Sequence, residues 1–197
     1  MKQLIVSAIL SAIIVCPALA ALKEGDQAPD FSAKASLAGK EFNFSLNEAL
    51  RKGPVVVYFY PSAYTRGCNI EAHTFAENSE KFDAVNATII GVSGDSIERL
   101  NDYSSDPEYC AGKFPVASDA DGLIAASYDL KTLELPPGFK DTRGDVVDHI
   151  VVERTTFVIT PDKKVLATLS SADDGISPLD HVDQSLAVVE GLAAAKQ

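Results

Sequence analysis

Cys68 stands at the expected start of a helix, a place where a thiol can serve as a nucleophile. It follows an apolar run, Val55 to Tyr60, then Pro61 and a short loop. It also opens a segment in which Cys68, Ala72, Phe75, Ser79 and Phe82 recur every three or four residues. That recurrence is one face of a helix, and it puts the sulfur at the helix start, on the inward side. There the positive end of the helix dipole and the free backbone N–H groups favour thiolate over thiol. The thiolate is the reactive form. Thr65 lies three residues earlier, close enough in a tight turn for its hydroxyl to bond the sulfur or an incoming oxygen. Arg66 either adds positive charge beside the sulfur or faces solvent. Pro61 fixes the strand exit and has no N–H for a loop folded over the sulfur to leave unsatisfied.

The elements around this loop alternate. Lys23 to Asp30 reads as an irregular lead-in, and Glu41 to Leu46 as a half-buried strand with Phe42, Phe44 and Leu46 on one side. Ser45 and Glu48 suggest a capping box for a short helix that Gly53 closes. Val55 to Tyr60 suits a central strand covered on both faces. Thr88 to Val92 and Phe114 to Ala117 read as strands, and Asp95 to Tyr103 and Asp121 to Tyr128 as helices. Leu133 to Val147, with its Pro and Gly, reads as a long loop. Thr155 to Thr160 and Val165 to Leu169 form a hairpin, and Ser177-Pro178 opens a last helix bearing Leu179, Val182, Leu186, Val189 and Leu192. This order predicts a three-layer α/β sandwich with a central mixed sheet.

The ends and the composition narrow the class. Lys2, the apolar run Leu4 to Val15, Pro17 and Ala18-Leu19-Ala20 read as a signal peptide over residues 1–20, cleaved after Ala20. The run is shorter than the roughly 20 residues a membrane span needs. A lipoprotein reading through Cys16 is weaker, because Val15 stands where a small residue belongs. Residues 21–197 then form one domain, exported and periplasmic, with two of the three cysteines, Cys68 and Cys110, left in a compartment where disulfides persist. A single structural disulfide is an open reading of that pair. The net charge of −11 argues against nucleic acid and against an anionic membrane surface as partners.

The run Tyr60-Pro61-Ser62-Ala63-Tyr64-Thr65-Arg66-Gly67-Cys68 resembles the Pro-x-x-x-Thr-x-x-Cys signature of the peroxiredoxin family. Gly25 to Phe31 is similar to the family's lead-in, and Cys68-Asn69-Ile70-Glu71-Ala72 to the Cys-x-x-Glu-Ala of its bacterioferritin-comigratory subgroup. Gly91-Val92-Ser93, Phe114-Pro115, Ser118-Asp119 and Arg154 to Ile159 follow in the family's order. The resemblance implies a thioredoxin-like fold and a thiol peroxidase acting on hydrogen peroxide and organic hydroperoxides. It implies Cys68 as the peroxidatic cysteine, Thr65 and Arg154 as the residues that orient peroxide, and Pro61 as the shield. Arg154 suits that role chemically, because a permanent planar cation can donate twice toward the negative charge that grows on the departing oxygen. The product is a sulfenic acid, which a thiol must resolve before further oxidation. No bound cofactor and no metal is implied, since electrons arrive by thiol exchange from a thioredoxin-like or other thiol reductant.

The chain departs from that subgroup in two places. The usual resolving position, five residues after Cys68, holds His73, so Cys110 becomes the candidate resolving cysteine. The stretch from Asp106 to Lys113 looks loop-like and free to bring Cys110 to Cys68. A one-cysteine cycle and a purely structural Cys110 compete with that reading. The long segment from Leu133 to Val147 reads as a lid, a dimer contact or an insertion, and monomer and homodimer stay open. A redox-sensing or binding module without turnover is the alternative function.

Overall fold

The computed structural model describes residues 21–195, so the expected signal peptide lies outside the described residues. The first strands, β1 (Ser32–Leu37) and β2 (Lys40–Ser45), pair antiparallel across Ala38-Gly39. Both turn residues take positive φ, as a two-residue hairpin requires. Sequence periodicity did not disclose β1, because Ser-Ala-Lys-Ala-Ser-Leu carries too little apolar volume to alternate visibly. Its buried Ser36 instead shares a 2.9 Å hydrogen bond with Ser104. Phe44 and Leu46 turn inward as expected, whereas Phe42 is 40% exposed because β2 is the edge of the sheet.

The short helix α1 (Leu46–Leu50) starts at Ser45, whose side chain accepts the Glu48 N–H. Gly53 lies beyond its end, where a side chain would overlap the Asn86 carbonyl. Then follow β3 (Val55–Phe59), α2 (Arg66–Ala84), β4 (Thr88–Ser93), α3 (Ile97–Ser105), β5 (Val116–Ser118) and α4 (Leu123–Ser127). The hairpin is β6 (Thr155–Ile159) with β7 (Val165–Ser170), followed by a single turn, α5 (Ser171–Asp174), and by α6 (Pro178–Ala194). A capping box between Ser177 and Asp180, with Pro178 in the first turn, starts α6. Leu179 is an exception to its apolar face: it sits at the helix start and is 49% exposed.

The seven strands run in the order β2-β1-β5-β4-β3-β6-β7. β4 is parallel to β3 and β5, and the other pairs are antiparallel, so the sheet is mixed. Every residue of β3 is buried. Val55, Val57 and Phe59 point into one core with Leu46, Leu50, Tyr128 and Phe157. Val56 and Tyr58 point into the other, with Phe75 and Phe82 of α2, Leu100 of α3 and Val182 of α6. The two cores on opposite faces make the three-layer sandwich that the alternation predicts. Between α4 and β6 the chain forms only isolated bridges, Thr132 with Val152 and Lys140 with Val146, across the segment expected to be a loop.

Candidate active site

β3 ends where Tyr60 N–H bonds the Val92 carbonyl, and half-buried Pro61 turns the chain out of the sheet. Thr65 then adopts the extended conformation of an N-cap, and α2 begins at Arg66. Cys68 is therefore the third helical residue, 1% exposed, with its sulfur over the first turn. Arg154 comes from far along the chain. β6 pairs antiparallel with β3, Thr155 opposite Phe59, so the residue just before β6 emerges at the end of the sheet where β3 exits.

Arg154 makes two contacts there. Its Nη2 donates to Cys68 Sγ at 3.3 Å, and its Nη1 donates to Glu71 Oε2 in a close ion pair. Gly67 makes room, since a Cβ at that position would lie 3.1 Å from Arg154 Nη2. Glu71 is three residues after Cys68, on the same helix face, and fully buried. Burial pushes its pKa up to about 7, although Arg154 pulls the other way. Its Oε1 has no hydrogen-bond partner. Burial alone would lower the Arg154 pKa, but Glu71 and Cys68 outweigh it and hold the guanidinium charged. Sequence reasoning left Glu71 out of the site. The Cys-x-x-Glu spacing could have found it, because residues three apart share a helix face.

The other expected residues fall into place differently. Thr65 Oγ1 donates to the Ser62 carbonyl at 2.9 Å rather than to the sulfur, so the hydroxyl proton stabilises the turn. Arg66 is exposed, which settles the choice between sulfur and solvent. His73 is an exposed residue that reaches the Glu108 carbonyl at 3.0 Å. Cys110 does not lie on a free loop. Asp106 to Lys113 is a compact set of turns, closed by Ala111 N–H to Asp106 O and Lys113 N–H to Cys110 O. The Cys110 side chain is buried, and burial pushes its thiol pKa up. Both cysteines are free thiols within the same core. Tyr103, packed among them, donates from its hydroxyl to the Cys68 carbonyl at 3.0 Å.

His149 and His181 serve separate networks. His149 Nε2 lies 3.0 Å from Asp95 Oδ1, and His181 is buried between Thr156 Oγ1 and Ser171 Oγ, each at 2.9 Å. Burial, followed by the charge of Arg154, pushes the His181 pKa down to about 4. Unfolded, the ring takes a proton near its ordinary value of 6.5, so its contribution to stability is full above that pH and is lost as pH falls toward 4. Glu71 acts in the opposite sense. Folded, it binds a proton near pH 7; unfolded, near 4.5, so its contribution grows as pH falls through that window. A Glu71→Gln protein is therefore expected to lose melting temperature more steeply from pH 7 to 5 than its parent. Parallel curves from thermal melts would show that Glu71 titrates normally.

A helix-start thiol under a guanidinium, with a buried carboxyl behind it, can attack an electrophile and stabilise the anion it displaces. Known proteins share the arrangement's framework. The AhpC/TSA family profile matches residues 24–168. A putative peroxiredoxin of Mycobacterium tuberculosis is 32% identical over 171 residues, covering 87% of this chain and 98% of its own. Peroxiredoxin Bcp of Xanthomonas campestris is 29% identical over 143 residues, covering 73% of this chain and 79% of its own. Among solved structures, peroxidoxin BcpB of M. tuberculosis superposes with a TM-score of 0.70 at 32% identity, covering 87% of this chain and 98% of its own. The X. campestris bacterioferritin comigratory protein, studied for alkyl peroxide reduction, superposes at 0.62 with 27% identity, covering 81% and 91%.

Proposed function

The chain belongs to the AhpC/TSA family, the peroxiredoxins, and from that membership we propose that Cys68 is the peroxidatic residue of a thiol-dependent peroxidase. It is an oxidoreductase of thioredoxin-like fold that reduces hydroperoxides with electrons from a thiol. The observation that carries the assignment of Cys68 is the 3.3 Å approach of Arg154 Nη2 to its sulfur at the start of α2.

In the first step the Cys68 thiolate attacks one oxygen of ROOH. The S–O bond forms, the O–O bond breaks, and the departing RO⁻ takes a proton to leave as ROH. Arg154 is the fixed donor that meets the charge growing on that oxygen, and Glu71 holds the guanidinium over the sulfur. Thr65 acts through the turn it ties to Ser62, and Pro61 walls the strand side. In the second step Cys110 thiol condenses with the Cys68 sulfenic acid, giving a disulfide and water. An external thiol, thioredoxin-like or otherwise, then reduces that disulfide. The mature protein is residues 21–197, exported to the periplasm after cleavage at Ala20; the apolar run from Leu4 to Val15 and the small-residue site after it support this.

Reduced protein recovered from cells and treated with one equivalent of hydrogen peroxide tests the cycle by intact mass and thiol counting. The expected product is a monomer lacking both thiols and two hydrogens. A gain of one oxygen with Cys110 still titratable would replace the two-cysteine cycle with a one-cysteine cycle. The same mass shows whether residues 1–20 have been removed.

A further inference from the structure

Asp141, Thr142 and Arg143 belong to the long segment between α4 and β6, and Thr142 and Arg143 touch the loop that leads to Cys68 at its least relaxed residue. Tyr64 has φ +63, a left-handed conformation that aromatic residues seldom take. Its carbonyl accepts two hydrogen bonds from Thr142, one from the backbone N–H at 2.9 Å and one from Oγ1 at 2.6 Å. Its ring lies under the Arg143 guanidinium, 3.4 Å from the centroid, and meets Tyr103 and Tyr109 edge-on.

The segment is itself anchored. The buried Asp141 carboxylate pairs with Arg99 and accepts the N–H groups of Arg143 and Asp145. Arg99 in turn donates to the Ala63 carbonyl at 3.0 Å and to Asp95, which accepts the Ala63 N–H at 2.8 Å. The Ala63 N–H, the Ala63 carbonyl and the Tyr64 carbonyl are thus all held from outside the loop. The held peptides sit immediately before Thr65, the N-cap of the helix on which Cys68 lies.

We propose that Thr142 is a positioning residue: it clasps Tyr64 and so keeps the first turn of α2, with Cys68 under Arg154, from moving toward Cys110, a free and buried thiol of the same core. Two observations give the clasp that consequence. Tyr103 hydrogen-bonds the Cys68 carbonyl, and Tyr64 packs on both Tyr103 and Tyr109, the neighbour of Cys110. Tyr64 thus packs on the ring that holds Cys68 and on the neighbour of Cys110, and loosening it is the expected way to speed the approach of Cys68 to Cys110. The part of the proposal that concerns the disulfide rests on the two-cysteine cycle; the part that concerns the loop does not.

The test compares the parent with Thr142→Val, which loses the Oγ1 bond to the Tyr64 carbonyl and the weaker one from Asn69 Nδ2 but keeps the N–H, and with Thr142→Ser, which keeps all of them. Amide hydrogen exchange is followed in the reduced proteins at Thr65 and Asn69, whose N–H groups bond the Ser62 and Thr65 carbonyls across the loop and the first turn of α2, with β3 as the internal reference. Disulfide formation is followed after one equivalent of peroxide. Losing the short bond to Tyr64 is expected to raise loop exchange and the disulfide rate in Thr142→Val by about fivefold, with β3 unchanged and Thr142→Ser like the parent. Loop exchange equal in all three proteins, or raised equally in the loop and in β3, would overturn the proposal. If the parent formed no disulfide, the two-cysteine cycle would fail while the exchange data still decided the clasp.

Discussion

Cys68→Ser is expected to abolish peroxide turnover, leaving only the uncatalysed rate of the reductant with peroxide. The hydroxyl that replaces the thiol keeps the hydrogen-bonding position beneath Arg154 but has no accessible anion at neutral pH and cannot form a sulfenic acid. The variant should fold, because the change shortens a small buried side chain at the start of α2 without altering its cap. A coupled assay that follows loss of hydroperoxide, with the protein's circular dichroism as a control for folding, measures this. Retained turnover would move the nucleophile elsewhere and would sink the assignment of Cys68.

The second large effect is expected at Arg154. Arg154→Met removes a charged donor from the sulfur, and losing such a donor lowers rates by about 10²–10³-fold. The loss should fall on the second-order rate of Cys68 oxidation and leave the later reduction by thiol largely unchanged, so stopped-flow kinetics with limiting peroxide separates the two. Arg154→Lys should recover part of the rate, since it restores charge but not the fork that reaches Cys68 and Glu71 together. Stability should fall as well, because Glu71 stays buried without its partner; breaking such a pair costs about 3–5 kcal/mol, less where Glu71 takes up a proton. Adding Glu71→Gln to Arg154→Met should therefore restore melting temperature without restoring activity. Recovery of activity in that double variant would show that Arg154 serves only to neutralise Glu71.

Much of this architecture was legible in the chain, and the places where it was not have physical causes. β3 and β4 are dense in β-branched residues, and α2 shows its buried face as Cys68, Ala72, Phe75, Ser79 and Phe82. Such patterns act over a few residues, and the sequence carries them openly. β1 has small and polar residues and is held by pairing with β2 and β5 and by the Ser36–Ser104 bond, none of which leaves a local pattern. The exposure of Phe42 and Leu179 likewise follows from an edge strand and a helix start, positions that periodicity does not distinguish.

The site divides along the same line. By itself the sequence determined that a thiol stands at a helix start behind a proline-broken strand, because strand, turn and helix are contiguous and their signals local. Family resemblance then supplied Arg154, and only the register of β6 on β3 brings it to Cys68 across 86 residues. Tertiary structure alone decided that Glu71 shares that guanidinium, that Thr65 ties its own turn, and that Cys110 is buried in a compact turn. It also decided that the segment before β6 closes on Tyr64. Those outcomes depend on which surfaces meet when the sheet is covered on both faces, and contacts between distant segments leave no periodicity in the chain that makes them.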